Sequence, residues 1–404
     1  MIIHNLSTQS KEKGIDRTIL YILDPSITGG ATKSAITLIQ EVQGKGIKPI
    51  VCTPYYSEVN KHLESTGIQT IVTGHIEMIT SIPKISSIRS LKQTVKLLLR
   101  YCFHDFKAIR KICKETNIHK IDLIHTNSAR SDIGFFLSML FRIPHVVHIR
   151  EFGDIDYGCK PLNPFYIFIY NKWGSKFICV SEAVKRHWTN KGLSENKSIV
   201  VYNGINTTHF SISSDAEKKH NFLNIVIAGS VIRSKGHHLA IKAISMLDPA
   251  IQKNIKLDII GWIDENYQKE LFRLIADIPL ITPVSFLGAI PQIGQTLGKY
   301  QIGLMCSKAE GFGRVTAEYM FAKLGVIASN TGANPEIIEN GENGLLFDYN
   351  DPCSLSNAIL KYYNDRNLLI ECSNNAQKTA SSRFTSSKNT EQIYSIYDYF
   401  FSKE

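Results

Sequence analysis

Glu310-Gly311-Phe312-Gly313-Arg314-Val315-Thr316-Ala317-Glu318 is the stretch whose reading decides the fold. It follows Tyr300-Gln301-Ile302-Gly303-Leu304-Met305-Cys306-Ser307, an apolar run with the length of a short buried strand. It leads into Glu318-Tyr319-Met320-Phe321-Ala322-Lys323-Leu324, a helical run that Gly325 ends. A strand stops, glycines open the turn, and a helix N-terminus begins. Free backbone N–H groups and the positive end of a helix dipole suit an anion such as phosphate there. The two flanking glutamates would repel phosphate, which leaves them for hydroxyl groups such as those of a sugar. The pattern therefore suits a pocket for a nucleotide sugar.

Around this turn the chain has the dimensions of two or three domains, with 404 residues to fill their cores. Its 43% hydrophobic and 20% charged residues are those of an ordinary globular protein. Lys+Arg 46 against Asp+Glu 36 gives a net charge of +10, which favours an anionic partner. Nucleic acid, an anionic membrane and a nucleotide-phosphate substrate all meet that description. The eight cysteines show no CxxC spacing and no Cys/His cluster, so no zinc site is expected, and reduced cysteines in a cytoplasmic protein are. Residues 1–16 read as a polar leader without the apolar core of a secretory signal. The nearest approach to a long apolar run, Phe165-Tyr166-Ile167-Phe168-Ile169-Tyr170, is too short to span a membrane.

Strand and helix alternate from the start. Apolar runs at 18–23, 48–53, 68–72, 121–125, 145–149, 177–180 and 198–202 read as strands, with helical stretches between them. A second series follows at 222–229, 256–261, 284–287, 301–306 and 325–329. Repeated βα order implies mostly parallel sheets covered on both faces. Asn203-Gly204-Ile205-Asn206 and the polar stretch after it mark a boundary. The expected division is 1–205, 206–380, and a terminal helix over 381–404 packing back on the N-terminal domain. Two doubly wound α/β domains would turn the carboxyl ends of their strands, the binding edges, toward each other across a cleft.

The segment 85–116 stands apart. Ile88, Leu91, Val95, Leu98, Cys102, Phe106, Ile109 and Cys113 recur at helical spacing, and Lys or Arg fills many of the intervening positions. Such a helix suits an anionic membrane surface, or is a core-packed helix with a solvated outer face. No recognised nucleic-acid-binding module accompanies the charge.

Several positions sharpen the pocket. Gly229-Ser230-Val231-Ile232-Arg233-Ser234-Lys235-Gly236 follows a strand and opens a helix, so Arg233 and Lys235 are placed to neutralise a diphosphate. Gly29-Gly30 lies in a similar strand–glycine–helix unit that lacks both GxGxxG and GK[ST]. His148, in His148-Ile149-Arg150-Glu151, closes a strand at a binding edge, and His125 ends the preceding strand. Asn330-Thr331-Gly332-Ala333-Asn334-Pro335-Glu336 is a further strand–turn–helix crossing.

Taken in order, the glycine pair, His148-Ile149-Arg150-Glu151, Val180-Ser181-Glu182-Ala183-Val184, Asn203-Gly204-Ile205, the Lys235-Gly236 pair, E-x7-E and the turn at Pro335 resemble glycosyltransferase family 4. The likeness runs over 19–347. It implies a GT-B fold of two facing Rossmann-like domains and a retaining enzyme that uses a nucleotide-diphosphate sugar without a metal or other cofactor. By the same resemblance Glu310 binds the donor sugar, the Gly311, Phe312 and Gly313 backbone lies beside sugar and phosphate, and Glu318 holds the ribose hydroxyls. Lys235 matches the diphosphate-binding lysine, His148 a histidine near the reacting sugar, and Gly30 a loop facing donor phosphate and acceptor. Ser230 stands where the family often has Arg, and Arg233 is expected to supply that charge.

The function implied is transfer of a sugar, from UDP-sugar as the expected donor, to a hydroxyl of a saccharide or lipid-linked saccharide in cell-surface polysaccharide or glycoconjugate synthesis. Alternatives are a UDP-sugar epimerase of the same fold and a non-catalytic saccharide-binding scaffold. The expected setting is the cytoplasm, with peripheral contact to the inner face of the plasma membrane.

Overall fold

The computed structural model describes residues 17–23, 29–80, 88–156, 158–208, 210–219 and 222–402. The expected leader over 1–16, the turn at 24–28 and the start of the basic segment at 85–87 lie outside the described residues. The chain forms two compact units. The first is Met1–His148, Lys160–Phe177 and Thr390–Glu404, and the second is Ile149–Cys159 and Ile178–Asn389.

This division differs from the expected one at residue 205, and side-chain bonds explain it. Ser181 Oγ donates to the Gly311 carbonyl at 2.6 Å, and Trp188 Nε1 donates to the Glu151 carbonyl at 2.9 Å. Arg150 donates to Asn203 Oδ1. These bonds tie 149–159 and 178–205 into the second unit. In the terminal helix Ser386–Phe401, residues from Thr390 on belong to the first unit, where Tyr397 Oη lies 2.6 Å from His125 Nδ1.

Strands β1 (Arg17–Ile22), β2 (Ile47–Thr53), β3 (Gln69–Val72), β4 (Ile79–Thr80), β5 (Leu123–Thr126), β6 (His145–Ile149), β7 (Lys160–Pro161), β8 (Lys176–Cys179) and β9 (Ser198–Val200) come first. Seven of them form a sheet in the order β3-β2-β1-β5-β6-β8-β9, with β4 and β7 paired separately and antiparallel. The β1–β2, β2–β3, β1–β5 and β5–β6 ladders are parallel. Ile19, Leu20, Tyr21 and Ile22 of β1 are all buried, as a central parallel strand covered on both faces requires.

One face of this sheet packs on the helices Ile88–Glu115 and Ile133–Phe141 through Ala108, Ile112, Ile133 and Leu137. The long helix lies rotated from its expected setting. Its buried stripe is Tyr101, Asp105, Ala108 and Ile112, while Val95 and Phe106, expected on one stripe with Ile109 and Cys113, are 47% and 58% exposed. The cause is polar: Tyr101 Oη donates to the buried carboxylate of Asp132, a bond that hydropathy spacing does not reveal.

The second unit holds β10 (Leu223–Ala228), β11 (Ile255–Ile260), β12 (Val284–Gly288), β13 (Ile302–Met305), β14 (Gly325–Ser329) and β15 (Leu345–Phe347). They form an all-parallel sheet in the order β12-β11-β10-β13-β14-β15. The three-residue β15 has no counterpart among the expected strands, being too short to show a period. Strand order reverses between β10 and β13, and ligands of open α/β sheets bind outside the carboxyl ends at such a reversal.

Candidate functional site

The turns after β10 and β13 leave the sheet side by side at that reversal. Between them Lys308 N donates to the Ser234 carbonyl at 2.9 Å. Gly236, at φ 73°, sits so close to β13's exit that an added Cβ would lie 2.0 Å from the Cys306 carbonyl oxygen. Only glycine meets both demands. The turn after β13 ends at Gly313, at φ 83°, and the helix Arg314–Phe321 starts at once. Its register is held by Tyr319, whose hydroxyl accepts from Ala228 N at 2.6 Å and whose ring fills the space over Gly303.

Two ion pairs cross this ground. Lys235 Nζ lies 2.5 Å from Glu310 Oε1, joining the two turns, and Arg314 Nε lies 3.0 Å from Glu318 Oε1 within the helix. The side chains of Glu310 and Glu318 are 13% and 11% exposed, so both carboxylates are largely out of water and held in place. The turn after β14 supports the same loop: Ala333 N donates to the Glu310 carbonyl at 2.9 Å, and Ser329 Oγ and Thr331 Oγ1 both donate to the Ser307 carbonyl. Gly332 is at φ 58°, and a Cβ there would meet the Glu310 backbone at 2.6 Å.

The structure thus brings Lys235, Glu310, Gly311, Phe312, Gly313 and Glu318 together in the second unit. Phe312 is buried, with its ring centroid 5.4 Å from that of Phe384 and 6.1 Å from that of Tyr202, so its side chain anchors the loop. Arg233 points elsewhere: its side chain is 74% exposed and pairs with Glu270 at 2.6 Å. Gly30 and His148 belong to the first unit. Gly30 opens the helix Gly30–Gln43, and His148 is fully buried at the end of β6, its ring 5.5 Å from that of His125.

Comparison with known proteins places this arrangement. Residues 28–209 match the family described as Glycosyltransferase Family 4, and residues 210–379 match Glycosyl transferases group 1, so the two cover most of the chain. The chain belongs to the family 4 glycosyltransferases. This glycosyltransferase is 28% identical over 305 residues to an uncharacterized glycosyltransferase of Methanocaldococcus jannaschii, covering 74% of this chain and 81% of the relative. It is 26% identical over 320 residues to the capsular polysaccharide biosynthesis glycosyltransferase CapM of Staphylococcus aureus, covering 74% and 82%. In fold it is similar to Anabaena HepE in complex with UDP-glucose, with TM-score 0.74, 22% identity, and coverage of 94% and 98%.

The glycosyltransferase has a second feature that its motifs do not announce. In the first sheet the strand order reverses between β1 and β5, and a cavity of ≈ 360 Å³ opens there. Pro54, Tyr55, His75, Glu77, Ser128 and Arg130 line it. Arg130 pairs with Glu77, and burial holds His75 down to about 4, so its imidazole is neutral near pH 7. These residues lie on loops after β2, β3 and β5, and their spacing in sequence carries no period. The one signal available was their place just past a strand end.

Proposed function

We propose that this glycosyltransferase takes a UDP-sugar as donor and transfers the sugar, with retention, to a hydroxyl of a saccharide or lipid-linked saccharide in polysaccharide or glycoconjugate synthesis. The observation that carries the reading is the Lys235–Glu310 pair across the two turns, with Glu318 one helix turn beyond Arg314. In this reading the diphosphate meets Lys235 and the N–H groups after Gly311, Glu318 holds the ribose, and Glu310 faces the sugar. Charge building on the diphosphate is stabilised by Lys235 and the oriented amides without a metal. The acceptor oxygen bonds to the anomeric carbon as that carbon's bond to the diphosphate breaks, and the leaving phosphate takes the acceptor's proton, so no carboxylate nucleophile is needed. The UDP-glucose complex of the similar Anabaena fold supports the choice of nucleotide. The cavity at the first sheet's reversal is read as the acceptor side.

The same reading puts the enzyme at the inner face of the plasma membrane. No helix among the described residues is long and apolar enough to cross a membrane. Leu99, Phe103 and Phe106 are nevertheless exposed on the basic helix, with Lys107 Nζ 4.2 Å over the Phe103 ring. Cations above exposed aromatic rings suit the headgroup region of an anionic bilayer.

Isothermal titration with UDP tests the donor. The expected result is binding to the wild type and loss of it in Glu318→Ala. Absence of binding to the wild type, or unchanged binding in the variant, would sink the assignment. NMR of the products then separates transfer from epimerisation, which would release a new nucleotide sugar.

A further inference from the structure

The short helix Asn334–Ile337, which follows the turn after β14, carries a glutamate that the donor reading leaves unused. Glu336 Oε2 accepts from Glu182 N at 2.8 Å, and its Oε1 accepts from Ala183 N at 2.6 Å. Tyr202 Oη donates to the same carboxylate at 3.2 Å. The next N–H of that helix, on Val184, donates to Ser181 Oγ at 3.1 Å. The first three N–H groups of the helix Glu182–Asn190, which have no partner inside a helix, are therefore all taken up by two side chains. One of the two comes from 154 residues away in sequence.

Ser181 also points the other way. Its hydroxyl hydrogen goes to the Gly311 carbonyl at 2.6 Å, in the middle of the donor loop. In a trans peptide the carbonyl and the following N–H point in opposite directions. A carbonyl of Gly311 held by Ser181 thus turns the Phe312 N–H to the opposite side of the loop, away from Ser181. The buried Phe312 ring and the fit of Gly311 against the Arg150 carbonyl, which a Cβ would meet at 2.4 Å, keep the peptide from rotating.

We propose that Glu336 is a positioning residue for the transfer. It holds the N-terminus of the helix Glu182–Asn190, so that Ser181 fixes the Gly311–Phe312 peptide and the Phe312 N–H is presented to the donor's sugar-diphosphate. This rests on the donor reading above. Glu336 itself touches no substrate. Its carboxylate is suited to the task because two adjacent backbone donors need two acceptor oxygens, and an amide would set an N–H against one of them.

The test uses UDP and UDP-glucose as probes on the full chain, with affinity by titration and turnover by release of UDP from UDP-glucose. Glu336→Gln and Ser181→Ala are expected to keep UDP affinity within about twofold and to lower turnover roughly 10- to 100-fold, the scale of a small misplacement at a reacting centre. The double variant should be no worse than Ser181→Ala, since both act through one bond, and Ser181→Thr, which keeps the hydroxyl, should restore most of the rate. Unchanged turnover, fully additive losses, or an equal loss of UDP and UDP-glucose affinity with a lowered Tm would overturn the proposal. A wild type that ignores UDP, or a Glu318→Ala variant that binds it normally, would strike the donor reading itself. Normal dependence on Glu318 with an indifferent Glu336→Gln would strike this inference alone.

Discussion

Glu310 and Glu318 stand eight positions apart, yet they have different cations, Lys235 from another turn and Arg314 from the same helix. A diphosphate arriving beside Lys235 competes with Glu310 for its ammonium. In the proposed reading Glu310→Gln therefore leaves UDP affinity equal or higher, because a repulsive charge goes and Lys235 is released. The same change should lower transfer by about 100-fold or more, since the carboxylate's bonds to the reacting sugar are lost. Lys235→Ala should do the reverse at the binding step, weakening UDP by about tenfold or more through loss of a charge-assisted bond. Titration alongside turnover with UDP-glucose reads both. A Glu310→Gln variant that loses UDP binding would contradict the division of labour.

At the scale of elements, the helix Ile88–Glu115 is fastened by polar contacts as well as by Ala108 and Ile112. Asp105 and Asp132 are buried together, and Asp105 Oδ2 and Asp132 Oδ1 have no hydrogen-bond donor from elsewhere. A proton held between the two carboxyls would satisfy both oxygens. Burial, and after it the charge of Asp132, raises Asp105 to about 8, and burial raises Asp132 as well. A carboxyl whose folded pKa exceeds its unfolded one, near 3.8, stabilises the fold fully below that unfolded value and loses the contribution as pH rises through the folded one. The protein should accordingly lose Tm progressively between about pH 4 and pH 8 and level off above that, and Asp105→Asn, which donates a hydrogen bond at every pH, should lose less. Equal slopes in calorimetry for the two proteins would rule out the shared proton.

At the scale of the molecule, that helix exposes Leu99, Phe103 and Phe106 among its basic residues. Leu140 on the helix Ile133–Phe141 and Phe168 on the helix Tyr166–Trp173 are also exposed, and the three helices pack in succession. Replacing Leu99, Phe103 and Phe106 by Ser should abolish sedimentation with anionic liposomes at low salt while leaving UDP affinity intact. A wild type that fails to sediment would remove the membrane from the proposed setting. Because Lys235 and backbone amides carry the leaving-group charge in this reading, EDTA should leave turnover unchanged. A loss that Mg²⁺ or Mn²⁺ restores would overturn that reading.

Much of the fold was legible in the residues. β6 and β14 occupy the spans their apolar runs predict, and the turn at Gly313 passes directly into a helix. These features depend on local periodicity and on glycine's access to positive φ, which neighbouring residues alone express. Lys235 and Glu310 were both legible as candidates, each from its own strand–glycine–helix turn, but their contact was not. It arises because β10 and β13 are adjacent in the sheet, and sheet order is set by packing far apart in the chain. For the same reason sequence could not show that Arg233 turns to Glu270, or that Phe312 is buried beside Phe384. Nor could it show that Glu336 caps a helix 154 residues earlier. The chain by itself determined where a strand, a glycine turn and a helix start follow one another, because that is a property of a few successive residues. Tertiary structure alone decided which charges face each other there, because a buried charge takes the partner that the fold brings within reach.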